Sequence, residues 1–180
     1  MKVSHPFELY IERGESLYGG EAVTQLQHAL QAAASAANAG AAEPLIVAAL
    51  LHDIGHLINP ASETASQQGR DLKHEASGAK FLARWFGPEV TEPVALHVEA
   101  KRYLARDPEY RATLSTESQR TLSLQGGPMN DAEADSFRAA AGADAALQLR
   151  SWDDAAKIRD WRGPGLESYR ALVSRVGEGL

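Results

Sequence analysis

His52 and Asp53 stand side by side in the run Leu50-Leu51-His52-Asp53-Ile54-Gly55-His56. An imidazole nitrogen next to a carboxylate oxygen is a donor pair suited to a metal cation. The residues from Leu45 to Ile54 are hydrophobic on every side. They predict a buried helix, and an ionisable pair at its end must be neutralised. A bound metal would neutralise it, and so would a hydrogen bond from a core histidine to the aspartate; the pair alone leaves both open. The chain contains no cysteine. That removes disulfides, thiolate catalysis, iron–sulfur clusters and thiolate zinc sites, leaving His and carboxylates as the ligands of any metal.

The histidines are His5, His28, His52, His56, His74 and His97. His28 shares a helical face with Glu21, Thr24, Gln31 and Ser35, a polar face that by itself reads as surface. His74 is followed on one stripe by Gly78, Phe81, Leu82 and Trp85, so its imidazole points inward and needs partners there. His97 lies on an apolar stripe with Val94, Lys101 and Leu104. Lys101 either meets an anion inside or snorkels along its stem to solvent. Arg150, Asp153 and Lys157 share one helical face, a pattern that a surface salt-bridge ladder also gives. Ser118, Thr121 and Gln125 form a hydroxyl-and-amide face, which taken alone is a solvated one.

Segments of helical periodicity, separated at Gly and Pro, must position these side chains; there is no alternating strand and no internal repeat. The expected fold is all-α, a helical bundle. Helices are predicted at 6–13, from about Glu21 to Asn38, from Pro44 in a first turn to Gly55, and at about 73–86, 91–105, 115–125, 131–140, 143–160 and 166–176. Pro93 falls in the first turn of its helix, and Gly126-Gly127-Pro128 is a firm break. The polar stretch 59–71 reads as a loop. Such a bundle can turn His and carboxylate side chains from several helices onto one metal site.

Composition narrows the partners. With 180 residues, 44% hydrophobic and 23% charged, the chain suits one globular domain. A net charge of -6 argues against nucleic acid as a partner. Lys2, Glu8, Glu12 and Arg13 interrupt the first residues, so no signal-peptide core is present, and no run has membrane-spanning length. We expect a soluble, cytoplasmic protein with no membrane partner.

In sequence, the order His28, His52-Asp53, His74, His97, Asp153 resembles the ligand order of the HD-domain superfamily, and the two histidines before the last aspartate resemble its dinuclear branch. Further islands are Tyr18-x-Gly-Glu-Ala with Gln25-Leu26-x-His28, the run from His97 to Leu104 containing Lys101-Arg102-Tyr103, Leu114-Ser115-x-x-Ser118, Thr121-Leu122, Gln125-Gly126-Gly127-Pro128-Met129, and Trp152-Asp153. On these the chain resembles the mixed-valent di-iron oxygenases of that superfamily, most of all the 2-amino-1-hydroxyethylphosphonate dioxygenases and their trimethylated-substrate relatives, and more distantly the myo-inositol oxygenases. The likeness runs from about Tyr18 to Lys157; residues 59–73 and Gln27 depart from it.

The resemblance implies a single HD domain over 1–180 with a catalytic core at about 18–160. It implies two irons, Fe(II)/Fe(III), with His28, His52, Asp53 and Asp153 on one and Asp53, His74 and His97 on the other. The substrate's 1-hydroxyl and a phosphonate oxygen would chelate Fe(III), with dioxygen as co-substrate at Fe(II). His56, Lys101, Ser118, Thr121, Gln125 and Arg150 would bind the phosphonate. Glu21 would meet a cationic group at C2, Tyr18 would close over the site, and Lys157 would orient Asp153. The implied reaction is carbon–phosphorus cleavage of 2-amino- or 2-(trimethylammonio)-1-hydroxyethylphosphonate to glycine or glycine betaine plus phosphate, coupled to an upstream hydroxylase. Hydroxymethylphosphonate is a further substrate of the same kind, but it would leave Glu21 without a cation. The rival is an HD metal-dependent phosphohydrolase, in which metal-bound hydroxide attacks phosphorus.

Overall fold

A computed structural model describes residues 5–59, 61, 65 and 68–177. The elements are α1 (Pro6–Arg13), α2 (Gln25–Asn38), α3 (Glu43–Leu51), α4 (Ile54–Ile58), α5 (His74–Leu82), α6 (Pro88–Leu104), α7 (Pro108–Thr113), α8 (Thr116–Leu124), α9 (Asp131–Ala139), α10 (Ala143–Ala155) and α11 (Arg170–Gly177), the last entered through a 3-10 turn at Leu166–Tyr169. Among the described residues the fold is all-α; the one extended pairing is an isolated bridge between Leu17 and Thr24. The chain belongs to a bundle in which α6 packs on α10, α5 and α3, and α2 packs on α3 and α10. Phe7, Leu50, Leu51, Ile54, Leu82 and Leu149 fill its main core.

Local chemistry sets the ends that matter for the site. The second helix begins at Gln25, not near Glu21, because Thr24 and Gln27 form a reciprocal capping box that fixes its start. Glu21 therefore sits in the preceding loop, where Gly19 and Gly20 take positive φ values of 45° and 89°. Both lie in the left-handed region that glycine adopts without a Cβ penalty.

The apolar helix expected to reach Gly55 stops at Leu51, and the chain turns through His52 and Asp53 before α4. His52 keeps helical backbone angles, and the departure comes at Asp53, with φ -98° and ψ 12°. Likewise α6 starts at Pro88, so Pro93 lies in its second turn rather than its first. A short helix, α7, occupies a stretch for which periodicity gave no signal. Of the loop expected at 59–71, residues 60, 62–64, 66 and 67 lie outside the described residues.

Candidate active site

His28 comes from α2, His52 and Asp53 from the break after α3, His74 from the first turn of α5, His97 from α6 and Asp153 from α10. They converge as two groups of possible metal ligands, His28 with His52 and Asp153, and Asp53 with His74 and His97. Asp53 faces both. Its Oδ2 lies 3.5 Å from His28 Nε2 and 3.4 Å from His52 Nε2. Its Oδ1 lies 3.2 Å from His74 Nε2 and 3.5 Å from His97 Nε2. Asp153 Oδ1 is 3.2 Å from His28 Nε2.

Proton bookkeeping shows what these atoms require. Nδ1 of His28, His52 and His97 lies 2.9, 2.9 and 2.7 Å from the carbonyl oxygens of Ala156, Ala49 and Val94. A carbonyl only accepts, so each Nδ1 carries the proton and each Nε2 presents a lone pair to the cleft. Yet His28 and His52 Nε2 atoms are 3.1 Å apart, and His74 and His97 Nε2 atoms 3.0 Å apart. Two lone pairs at that distance repel. Asp53 Oδ2 and Asp153 Oδ1 are buried without a hydrogen-bond partner among the described residues. A cation resolves all of this at once. Donors about 2.1 Å from a shared ion are roughly 3 Å apart in an octahedral shell and about 3.4 Å apart in a tetrahedral one, close to the 3.0–3.5 Å of most pairs here, with His52 Nε2 and Asp153 Oδ1 wider at 3.8 Å. The residues fit two metal ions with Asp53 between them.

The electrostatics agree. Burial would by itself lower the basicity of His52, but Asp53 and Asp153 raise it to about 10, so without a metal ion a second proton on His52 takes the cation's place in the cleft. Burial would also raise Asp53, yet His52, His74 and His97 hold it well below the usual carboxylate range. Burial and then His56 bring His74 down to about 3, so its imidazole is neutral and available as a ligand. Glu75 Oε2 lies 3.5 Å from His74 Nδ1, on the side away from the cleft.

A cavity of about 840 Å³, including its open mouth, leads to these ligands. Tyr18, Glu21, His56, Lys101, Ser118, Thr121, Gln125 and Arg150, all singled out in the sequence, line it. Tyr18 stacks on His28 at 3.9 Å, and His56 stacks on His74 at 4.1 Å. Lys101 does not snorkel: it is buried and donates to Thr121 Oγ1 at 3.0 Å. Burial, reinforced by Arg150, lowers it to about 7. His28, whose helical face reads as surface, is wholly buried, because α10 and the segment after it cover that face.

Other side chains take positions the sequence does not disclose. Arg150 donates to Asp153 Oδ2 at 2.7 Å and also binds Asp154, whose carboxylate accepts from Tyr110 at 2.6 Å. Lys157 turns away from Asp153 and donates to Ser118 Oγ at 3.1 Å. Ser115 donates to Glu21 at 2.6 Å. Arg70 and Leu72 lie on the cavity wall too. Asp154 and Tyr110 are not singled out by the sequence, and Ser115 stands there only in the island Leu114-Ser115-x-x-Ser118; in the structure it caps α8.

The HD domain family pattern matches residues 26–127. A hydroxymethylphosphonate dioxygenase of Gimesia maris is 46% identical over 96% of this chain and 86% of its own length. The chain belongs to the HD-domain phosphonate dioxygenase family. A second member of that family, the glycine-betaine-forming [1-hydroxy-2-(trimethylamino)ethyl]phosphonate dioxygenase of Leisingera caerulea, is 38% identical over 93% of this chain and 86% of its own length. An uncharacterised protein of Acanthamoeba polyphaga mimivirus is 36% identical over 92% of this chain. The HD pattern ends before Asp153, so in this dioxygenase family member α10 brings the last of the possible ligands from outside the matched segment.

Proposed function

We propose that this protein cleaves the carbon–phosphorus bond of a 1-hydroxyphosphonate with dioxygen, using two irons held by His28, His52, Asp53, His74, His97 and Asp153. The observation that carries this reading is the division of five buried residues and the half-buried His74 into two groups of possible ligands, with Asp53 turning one carboxylate oxygen toward each. Nitrogen and oxygen donors without thiolate suit non-haem iron. Bound there, an Fe(II)/Fe(III) pair supplies Lewis acidity and one-electron chemistry with oxygen.

The chain's own residues do the rest. Lys101, Gln125 and His56 converge on the cavity as donors for the phosphonate oxygens, and Thr121, which accepts from Lys101 and donates to the Ser118 carbonyl, holds the ammonium among them; this orients C1 toward the ligand cluster. Gln125 Oε1 is buried without a hydrogen-bond partner among the described residues, which leaves an acceptor for the substrate's hydroxyl. Arg150 adds its charge to the wall while fixing Asp153. Tyr18, stacked on His28, covers the cluster and must yield when substrate enters. Glu21 taken alone would suit a cationic C2 group, and glycine or glycine betaine would then be the product. For the simplest substrate the balance is hydroxymethylphosphonate plus dioxygen giving formate plus phosphate.

We place the whole reaction in one domain with a core at about 18–160, in the cytoplasm. Its substrate needs a prior hydroxylation at C1 of a phosphonate. No helix among the described residues is long and apolar enough to cross a membrane. The test is a panel of 1-hydroxyphosphonates scored for phosphate release and oxygen uptake with iron-loaded protein. Equal molar oxygen consumption and phosphate release is expected, and anaerobic incubation should stop both. Manganese-dependent phosphate release without oxygen would overturn the proposal in favour of a hydrolase.

A further inference from the structure

Glu21 is already partnered inside the protein. Its Oε1 accepts a hydrogen bond from Ser115 at 2.6 Å and stands 4.0 Å from Lys157 Nζ. Lys157 is held in that place, because it donates to Ser118 Oγ at 3.1 Å. The two charged side chains are only 18% and 16% exposed, so water screens them incompletely. Glu21 and Ser118 face the cavity, and the ammonium therefore sits at the same corner as the carboxylate.

We propose that Lys157 is a specificity-determining residue: its ammonium occupies the charge role of a substrate cation beside Glu21, so the cavity is matched to 1-hydroxyphosphonates without a cationic C2 group, hydroxymethylphosphonate being the smallest. The inference rests on the hydroxyphosphonate reading of the site. Its physical basis is a difference of affinities. A carboxylate with a fixed ammonium beside it is close to neutral at a distance, and a trimethylammonium group entering that corner meets the repulsion of Lys157 as well as the attraction of Glu21. A substrate without that group disturbs neither, and leaves the Lys157–Ser118 and Ser115–Glu21 hydrogen bonds in place.

The test compares hydroxymethylphosphonate with 2-(trimethylammonio)-1-hydroxyethylphosphonate on iron-loaded wild type, Lys157→Met, Lys157→Gln and the double variant Lys157→Met/Glu21→Gln. Dissociation constants are measured anaerobically and kcat/KM by phosphate release with oxygen uptake. Wild type should favour hydroxymethylphosphonate at least tenfold. Either Lys157 variant should move the ratio at least tenfold toward the trimethylammonium substrate in both measurements, and the double variant should lose that gain. A wild-type preference for the cationic substrate, or a ratio unmoved in a folded Lys157 variant, would overturn the inference while leaving the dioxygenase reading intact. Absence of oxygen-dependent cleavage of both substrates would remove the dioxygenase reading itself, and this inference with it. If one substitution fails to fold, the other variant and the wild-type ratio still decide.

Discussion

Asp153 depends on a chain of side chains behind it: Arg150 donates to its Oδ2 at 2.7 Å, and Asp154 holds the same guanidinium with Tyr110 donating to Asp154 at 2.6 Å. Partners one step behind a metal ligand typically influence affinity by roughly 10–100-fold. Asp154→Asn should therefore weaken iron binding by about tenfold or more, read by chelator competition, while a merely structural role would lower stability and leave the competition curve unchanged. Lys101 makes a second prediction. Burial and the nearby Arg150 bring it to about 7, below its value in an unfolded chain, so it gives up its proton as pH rises through neutrality. The cationic form binds an anion, so kcat/KM for a hydroxyphosphonate should fall on the alkaline side of pH 7 in wild type. That limb should vanish in Lys101→Met, which should also raise KM. For stability the sign is the reverse: the unfolded chain holds this proton above pH 7 and the folded one does not, so the stability cost of burying Lys101 eases as pH rises from there.

At the scale of elements, the meeting of α4 and α5 decides whether the second group of ligands exists. A Cβ on Gly55 would overlap the carbonyl oxygen of His74, and a Cβ on Gly78 would stand 3.2 Å from Gly55 N. The two glycines let the backbones touch, and this contact brings His74 within 3.2 Å of Asp53. Gly55→Ala must push α5 away. We expect a loss at the upper end of the roughly 1–3 kcal/mol typical of overpacking. Iron stoichiometry should drop from two toward one, as measured by metal analysis of the folded fraction. Retention of two irons with unchanged melting temperature would contradict this account. The same scale explains why the break at His52-Asp53 matters. Both residues of the junction meet His28, His52 Nε2 at 3.1 Å and Asp53 Oδ2 at 3.5 Å from its Nε2.

For the whole molecule, the ligand cluster ties α2, the α3–α4 junction, α5, α6 and α10 together at their centre. Without a cation, buried carboxylate oxygens and opposed lone pairs are left uncompensated there. Metal removal should thus lower the melting temperature reversibly. Iron at 100 times its dissociation constant would contribute about 2.7 kcal/mol, or roughly 5–10 °C for a chain of this size, in calorimetry of chelated against reconstituted protein. No change on chelation would argue against the centre. Much of this design is legible along the chain. Residue type and periodicity identify an all-α fold, His and carboxylates as the ligands of any metal, and an inward-facing His74 and His97, because those signals are local; they leave Lys101 between an inside anion and solvent. The burial of His28, the division of Asp53 between two groups, the diversion of Lys157 to Ser118 and Glu21, and the Tyr110–Asp154–Arg150 support are different in kind. Each depends on which helix covers which face across separations of tens of residues, and only tertiary packing sets that.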